Sequence, residues 1–378
     1  MLENNDKNWI WTKTAWPHFS FEAEQVLPEL EKVILTVAPL NLLAVELNQE
    51  KQLTLESLIL LEETLSTAKI EGEFLDRESV RSSIAKRLGV GQVKRTSRSA
   101  EAFVDILLES VRTYQKPLTD GMLKKWHHSM FFEKPALQDI SVGDYRNETM
   151  QIISGAYGKQ KIHYEAPCDN QACVSHEMKQ FLTWFNQNQS LSAYIKAAIA
   201  KFWFVTMHPF DDGNGRLSRI IAERVLANNE SNATRLYSIS HEIEKNRHEY
   251  YALLEKMQKY ENKAVGNSLD LTEWIIWFLQ QIHCAAKASM KHLDKIRLST
   301  KFWDENRHTI FNLRQTKLID RLLETDDFEP NGIARNKYKS MAHTTDITAA
   351  RDLKDLVEKN ILKPVGEGRS RKYLLCTK

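Results

Sequence analysis

Apolar residues recur every three or four positions along most of the chain, which is the spacing of one face of an α-helix. We predict helices over the stretches with this spacing: 20–41, 54–72, 76–89, 100–115, 176–187, 192–207, 217–229 and 267–293. Gly72 and Gly89 close two of these helices, because glycine readily takes the left-handed conformation that ends a helix. The pattern predicts an all-α fold.

One stretch alternates between apolar and polar residues instead. Residues 148–167 hold two such runs on either side of a turn at Gly155 to Lys159, which predicts a small β-hairpin. Near the C-terminus, three helical pieces at 316–325, 332–342 and 346–362 precede two short strands with a glycine turn between them. That order is typical of a winged-helix domain.

These elements and the length of 378 residues predict several domains. We expect an N-terminal helical domain at 1–95, a helical core at 96–265, a connecting helix at 266–300 and a winged-helix domain at 301–378.

Composition limits the functional classes only weakly. Hydrophobic residues make up 42% of the chain and charged residues 27%, but the formal net charge is only +2, so any basic surface must be local. The cysteines, Cys168, Cys173, Cys284 and Cys376, are too few for a disulfide framework and fit a reducing compartment. No signal peptide and no apolar run of roughly 18 residues is present. We therefore expect a cytoplasmic protein without membrane segments.

The nine residues "HPFDDGNGR", His208 to Arg216, interrupt an apolar helix with unusual chemistry. A glycine loop that leads into a helix N-terminus exposes N–H groups to an anion. Arg216 and Arg219 lie three residues apart, so both can face one phosphate chain. Asp212 is an oxygen ligand suited to phosphate-bound Mg²⁺, and His208 can accept a proton near neutral pH. These parts together indicate phosphoryl or nucleotidyl transfer to a hydroxyl group.

The same nine residues resemble the signature of Fic-domain proteins, H-P-F-x-[D/E]-G-N-[G/K]-R, at every position, and Fic-like matching extends over about 100–265. Most members of that family are helical enzymes that transfer AMP from ATP to a hydroxyl side chain of a target protein. The resemblance implies that His208 deprotonates the target hydroxyl and that Asp212 holds Mg²⁺ (or Mn²⁺) on the phosphates.

The resemblance also assigns the residues that hold the nucleotide. Gly213, Asn214 and Gly215 would line the anion hole, with Asn214 at the α-phosphate. Arg216 would bind the β-phosphate and Arg219 the γ-phosphate. A related branch of kinases carries Lys at the position of Gly215, so the glycine favours AMP transfer.

Two further segments resemble parts of the Fic site. The predicted hairpin resembles the flap that holds a target as an added strand, through residues Met150, Gln151, Ile152, Ile162, His163 and Tyr164. A plain surface ribbon is the alternative. Tyr250 and Tyr251 resemble tyrosines that border the adenine, although aromatic pairs on helices also pack cores.

An inhibitory element is suggested by "TAKIEG", Thr67 to Gly72. The stretch resembles the family's inhibitory motif, [S/T]-x-x-x-E-[G/N], through Thr67, Glu71 and Gly72. A Glu71 carboxylate that reaches Arg219 would form a charge-assisted pair and keep that arginine from the γ-phosphate. The resemblance thus implies an autoinhibited adenylyltransferase. A deAMPylase that uses the same site and a non-catalytic, ATP-sensing winged-helix regulator are the alternatives.

The remaining expectations concern partners. ATP and a target protein follow from the resemblance, and a homodimer is left open. The C-terminal domain has basic candidates for DNA binding: Arg351, Lys354, Arg369, Arg371 and Lys372. The predicted helix at 346–362 is nearly balanced in charge, however, so contact with DNA and contact with a protein are equally supported. We expect His127, His128 and the N-terminal tryptophans to pack in the core.

Overall fold

The computed structural model describes residues 8–91, 93–132, 140–155, 160–187, 190–229, 235–259, 264–265, 268–324, 328 and 332–376. The chain forms two compact units, Met1–Ser289 and Met290–Lys378, and the division falls inside a long helix. As predicted, the fold is mostly helical.

The helices of the first unit fall in three groups along the chain. The first group is α1 (Ala23–Val45), α2 (Gln49–Ile70), α3 (Arg77–Leu88), α4 (Arg98–Arg112) and α5 (Asp120–Phe131). The second group is α6 (Gln171–Asn186), α7 (Ala193–Met207) and α8 (Asn214–Asn229). The third group is α9 (Ile239–Lys245), α10 (Arg247–Gln258) and α11 (Thr272–Glu305), which continues into the second unit.

The centre of the first unit is α7, whose side chains from Tyr194 to Met207 are all buried except the partly exposed Lys196. A helix with apolar residues on every side must lie inside the core, because no face of it suits water. It packs most closely against α8, and α8 in turn contacts α4. The catalytic candidates lie at the junction of α7 and α8, so the best-buried helix pair of the unit supports the site.

The predicted hairpin is present as β2 (Gln151–Ser154) and β3 (Lys161–Glu165), which pair antiparallel with an irregularity after Ile152. Most of its predicted turn, residues 156–159, lies outside the described residues. A small sheet joins β1 (Phe19–Ser20), β5 (Ser268–Asp270) and β4 (Ala264–Val265), in that order. The sequence pattern missed this sheet because its strands have only two or three residues.

The second unit has its own hydrophobic core, which includes Leu318, Tyr338, Leu353 and Ile361. Its elements are the C-terminal part of α11, then α12 (Leu313–Glu324), β6 (Ile333–Ala334), α13 (Arg335–Met341), α14 (Asp346–Glu358), β7 (Leu362–Val365) and β8 (Lys372–Leu375). The strands form one antiparallel sheet in the order β6-β8-β7. The three helices and the final strand pair follow the predicted order, and β6 is an addition to it.

Two findings concern membrane segments and the cysteines. Among the described residues, no helix has the length and apolar character needed to cross a membrane. Cys168 and Cys173 form a disulfide, although the small number of cysteines suggested a reducing compartment. Five residues separate them in sequence, and the left-handed backbone of Cys168 (φ 72°) turns the chain back toward Cys173.

Candidate active site

The loop between α7 and α8 is closed by one asparagine. His208 ends α7 in the left-handed conformation (φ 50°, ψ 59°), and α8 begins at Asn214. The Asn214 side chain accepts from the Phe210 N–H (3.0 Å) and donates to the Phe210 carbonyl (2.7 Å). Both polar atoms of the buried amide are therefore paired within the loop. The Asn214 side chain thus fixes the shape of the loop, and the predicted contact of Asn214 with an α-phosphate stays a prediction.

The His208 ring is oriented for proton acceptance. Its Nδ1 lies 3.0 Å from the Val205 carbonyl, which can only accept, so Nδ1 carries the proton and Nε2 keeps its lone pair. Burial lowers the pKa of His208, and the charge of Arg146 adds to this, against opposing effects of the Val205 bond, Glu71 and Asp212. The ring is consequently neutral near pH 7, as a general base requires.

Asp212 and His127 support the glycine turn that follows. The Asp212 carboxylate accepts from the Gly213 N–H (2.6 Å), and Gly213 itself has φ 81°. A Cβ atom at Gly213 would come within 2.8 Å of the Phe131 ring. His127 accepts from the Gly143 N–H at Nδ1 (2.9 Å), so its Nε2 donates to the Asp212 carbonyl (3.2 Å). As predicted, His127 is a core residue, but the same prediction is wrong for His128, which is exposed.

Arg216 is buried between aromatic rings and two carboxylates. Its guanidinium lies 4.9 Å from the centre of the Phe131 ring and donates to Asp212 Oδ1 at 3.2 Å. Nη1 also donates to Glu73 Oε2 at 2.6 Å, a partner that the sequence did not suggest. Nε of Arg216 is buried without a hydrogen-bond partner among the described residues.

Arg219 is bonded to the predicted inhibitory stretch at Thr67 and Glu71, while inhibition itself stays a prediction. Its Nε donates to Thr67 Oγ1 (2.7 Å), and its Nη2 donates to the Thr67 carbonyl (3.0 Å) and to Glu71 Oε1 (2.8 Å). The Glu71 carboxylate also covers Gly215, since a Cβ atom there would lie 2.1 Å from Oε1. An anionic group thus occupies the N-terminal turn of α8, where N–H groups have no intrahelical partner.

The end of α2 explains how both carboxylates reach these arginines. Gly72 adopts φ 79°, its N–H bonds the Lys69 carbonyl, and the N–H of Glu73 bonds the Ala68 carbonyl. This left-handed cap reverses the chain sharply after Glu71. Two carboxylates two residues apart therefore approach Arg219 and Arg216 separately.

Arg146 is a second residue that sequence reasoning missed. It is 1% exposed, and its guanidinium donates to the carbonyls of His208 (2.7 Å), Glu148 (2.6 Å) and Cys168 (2.7 Å). It thereby joins the catalytic loop to both ends of the flap and to the disulfide turn. Only a long-range contact reveals this role, since 62 residues separate Arg146 from His208.

The two tyrosines predicted at the adenine occupy different environments. Tyr250 is 1% exposed, stacks on Trp277 and receives a hydrogen bond from the buried Lys201 amine (2.9 Å). It packs in the core, which is the alternative that the sequence left open, and its contact with an adenine stays a prediction. Tyr251 is 39% exposed and donates to the Ile70 carbonyl (3.1 Å), next to Glu71. Only Tyr251 of the pair offers an exposed ring.

The flap is anchored on one strand and open on the other. Every residue of β2 is exposed, including Gln151 and Ile152, so its outer edge can accept an added strand. In β3, Tyr164 is buried, donates to the Thr206 carbonyl (2.6 Å) and packs edge-on against Trp9.

The other predicted flap residues also hold β3 in place. His163 lies 2.7 Å from Glu255 of α10, and Met150 and Ile162 pack on the Trp9 cluster. Trp11 donates to the Glu165 carbonyl (2.8 Å). The N-terminal tryptophans therefore brace the flap as well as the core.

Comparisons with known proteins agree with this arrangement. Residues 117–226 match the family described as Fic/DOC family, and residues 9–90 match a domain of unknown function, DUF4172. A solved Fic family protein from Desulfovibrio desulfuricans G20 is 17% identical, with 96% of this chain and 98% of that chain covered at a TM-score of 0.56.

A Fic domain containing signaling protein from Bacteroides thetaiotaomicron VPI-5482 is also 17% identical, with 70% of this chain and 96% of that chain covered at a TM-score of 0.53. Similarity at this level of identity concerns the fold. Residues 117–226 of this chain therefore match the Fic/DOC family, within a mostly helical fold that solved Fic proteins share.

Proposed function

We propose that the chain is a protein adenylyltransferase, which transfers AMP from ATP to a hydroxyl side chain of a target protein. The observation that carries this proposal is an anion already seated in the pocket. The Glu71 carboxylate lies over Gly215 at the N-terminus of α8 and is bound by Arg219. Helix N-termini and arginines are also the groups that bind phosphates, so the same pocket suits a triphosphate.

The chemistry is a displacement at the α-phosphorus. The target hydroxyl oxygen forms a bond to that phosphorus, the bond to the bridging oxygen breaks, and pyrophosphate leaves. The hydroxyl proton passes to Nε2 of His208, whose neutral form is favoured by its lowered pKa. Proton acceptance of this kind contributes roughly 10²–10⁴-fold to a rate. Arg216 and Arg219 would stabilise the phosphate charge, and the exposed edge of β2 would hold the target chain.

Asp212 suits a divalent cation that arrives with the nucleotide. Its side chain is 42% exposed and lies beside the first turn of α8. Among the described residues, no cluster of three or more metal-binding side chains is found. One carboxylate is enough for Mg²⁺ or Mn²⁺, because such ions take most other ligands from phosphates and water. The ion would neutralise phosphate charge, and Asp212 would hold it.

We further propose that Glu71 keeps the enzyme inactive. Arg219 cannot pair fully with a γ-phosphate while it donates to Glu71, and the carboxylate would repel a phosphate near Gly215. A charge-assisted hydrogen bond of this type contributes about 1.5–3 kcal/mol. Its removal would therefore raise transfer about 10- to 100-fold.

The test measures transfer of α-labelled AMP to the protein itself. We expect Glu71→Gly to raise labelling about 10- to 100-fold, and Glu71→Gly with His208→Ala to abolish the increase. Lys69→Gly is the matched control, since it also places glycine in the last turn of α2. Nucleotide binding without transfer in Glu71→Gly would overturn the proposal and favour an ATP-sensing regulator.

A further inference from the structure

The second unit contains a helix with a buried acidic residue and exposed basic residues. Helix α14 carries Asp352 on its inner side, whereas the side chain of Asp355 is 40% exposed. Asp352 is 5% exposed and accepts from Arg314 Nε (2.8 Å), Tyr338 Oη (2.9 Å) and the Asn312 amide (3.0 Å). These bonds neutralise the charge of Asp352 inside the unit.

Asp355 is engaged in the same way. It accepts from the Gln315 amide (2.7 Å) and pairs with Lys359 (2.6 Å). Of the four carboxylates of α14, Asp352 is therefore buried, while the side chains of Asp346, Asp355 and Glu358 are 49%, 40% and 63% exposed and each pairs with a cation.

The outer side of α14 is exposed and basic. Ile347, Arg351 and Lys354 are spaced four and three residues apart, which places them on one helix face. Ile347 is 78% exposed, and the Lys354 side chain is 79% exposed. Glu358, which pairs with Lys354 at 3.6 Å, follows at the end of this face.

The elements that adjoin α14 also carry basic residues. Helix α13 packs on α14, and β7 and β8 follow it. Their basic residues are Arg335, Lys337, Lys339, Lys363, Arg371 and Lys372. We call Arg351 and Lys354 on α14 the basic face. The side chain of Arg369, another sequence candidate, lies outside the described residues.

The net charge is divided unevenly between the units. Residues 290–378 contain 19 Lys and Arg against 13 Asp and Glu, a net charge of +6, whereas residues 1–289 contain 33 against 37, a net charge of −4. The small total of +2 thus hides a basic C-terminal unit. Such asymmetry is typical of a domain that binds a polyanion.

We propose that residues 290–378 bind double-stranded DNA, with α14 in the major groove and the β7–β8 pair against the sugar–phosphate backbone. The order of helices and strands is that of a winged helix, which would expose one helix and one strand pair to a duplex. Ile347 and Arg351 would meet base edges, while Lys354, Lys363 and Arg371 would meet phosphates.

DNA fits this face better than a protein partner does. Among the described residues of α14 and β7, the exposed large apolar side chains are Ile347 and Val365, whereas a protein interface has an apolar centre. The apolar residues Ile310 and Leu313, 86% and 90% exposed, belong to a different region: the Ile310 carbonyl binds Lys359 at the far end of α14. This inference is independent of AMP transfer, because it uses no residue of that site.

The experiment titrates the full chain against a fluorescein-labelled 30-base-pair duplex at 50 and 200 mM salt. We expect saturable binding that weakens steeply with salt, since each phosphate contact contributes about 0.9 to the logarithmic salt slope. Arg351→Gln with Lys354→Gln should weaken binding about 10- to 100-fold at 50 mM salt and reduce the slope by about 1, because Lys354 is the phosphate contact of the two.

The matched control is Lys291→Gln with Lys301→Gln, which removes the same charge from exposed positions on α11. It should leave binding unchanged within about twofold. Equal weakening by both double variants would overturn the assigned face, because attraction would then depend on net charge alone. No binding to the duplex at 50 mM salt would overturn the proposal and leave protein contact as the role of the face.

Discussion

His208 is held as a neutral base before a substrate arrives. Its lowered pKa comes from burial and Arg146, while Glu71 acts in the opposite direction. Removal of Glu71 should lower the pKa further. A base with a lowered pKa stays unprotonated at lower pH, so we expect the Glu71→Gly enzyme to lose activity only below the ordinary histidine pKa of about 6.5. The rate of labelled-AMP transfer between pH 4.5 and 8 checks this, and an acidic limb centred above 6.5 would contradict it.

Glu73 is expected to be a second inhibitory residue. It binds Arg216 at 2.6 Å, as Glu71 binds Arg219, but its side chain is 34% exposed, so water weakens the pair. In the Glu71→Gly background, Glu73→Gln should raise AMP transfer about three- to tenfold, which corresponds to about 1 kcal/mol.

Glu78→Gln is the control for that change, because Glu78 is an exposed acid in the first turn of α3. Lower transfer in the Glu73→Gln variant would show that Glu73 orients Arg216 for the reaction instead of competing with phosphate.

The sequence predicts local constraints of the site better than distant ones. Pro209 restricts its own backbone, and Gly213 readily adopts the positive φ that it has here, so the loop after α7 could be predicted from its sequence. The pairing of Glu73 with Arg216 spans 143 residues, and no local pattern signals it. The amide of Asn214 could equally serve a phosphate or the loop, and only the closed loop shows that Phe210 takes both of its polar atoms.

At the level of elements, the flap depends on its attachment to α10. Burial alone would raise the pKa of Glu255, but hydrogen bonds from Lys259, His163 and Lys161 outweigh it and hold that pKa at about 2. The carboxylate therefore stays charged at neutral pH and holds β3 by two of these groups.

We expect Glu255→Gln to loosen the flap. Loss of charge-assisted bonds that contribute about 1–2 kcal/mol should speed amide hydrogen exchange in β2 and β3 about 5- to 30-fold. Hydrogen exchange followed by mass spectrometry checks this. Glu249→Gln, an exposed acid on the same helix, should leave the flap unchanged. Equal exchange in both variants would mean that Tyr164 and Trp9 alone hold the flap.

Elements with strong periodicity were predicted well, and those fixed by tertiary contacts were not. Gly89 ends α3 in the left-handed conformation, as expected from a glycine after a helix. Helix α2 begins at Gln49, five residues before the predicted start, because Asn48 caps it through a bond to the Lys51 N–H (3.0 Å). The disulfide was missed because a spacing of five residues fits a bonded pair and an unbonded pair equally well.

At the scale of the whole molecule, the stability of the first unit depends on a buried histidine, His127, that stays neutral. His127 is fully buried, stacks on Phe210 and joins Gly143 to Asp212. Burial lowers its pKa to about 4. The unfolded chain, with a histidine pKa of about 6.5, binds a proton first as the pH falls. The contribution of His127 to stability is therefore complete above about pH 6.5 and is lost progressively toward pH 4.

We expect this loss to reach about 2 kcal/mol at pH 5, from the difference between the two pKa values. The His127→Asn variant keeps a donor and an acceptor but does not titrate, so its free energy of unfolding should fall less between pH 7 and pH 5 than that of the wild type. Urea unfolding followed by tryptophan fluorescence measures this, because eight of the nine tryptophans belong to the first unit.

His128→Asn, at an exposed neighbouring position, should retain the wild-type pH dependence. Parallel pH profiles for His127→Asn and the wild type would mean that His127 accepts a proton in the folded protein without cost, and that the catalytic loop does not depend on a neutral ring beneath Asp212.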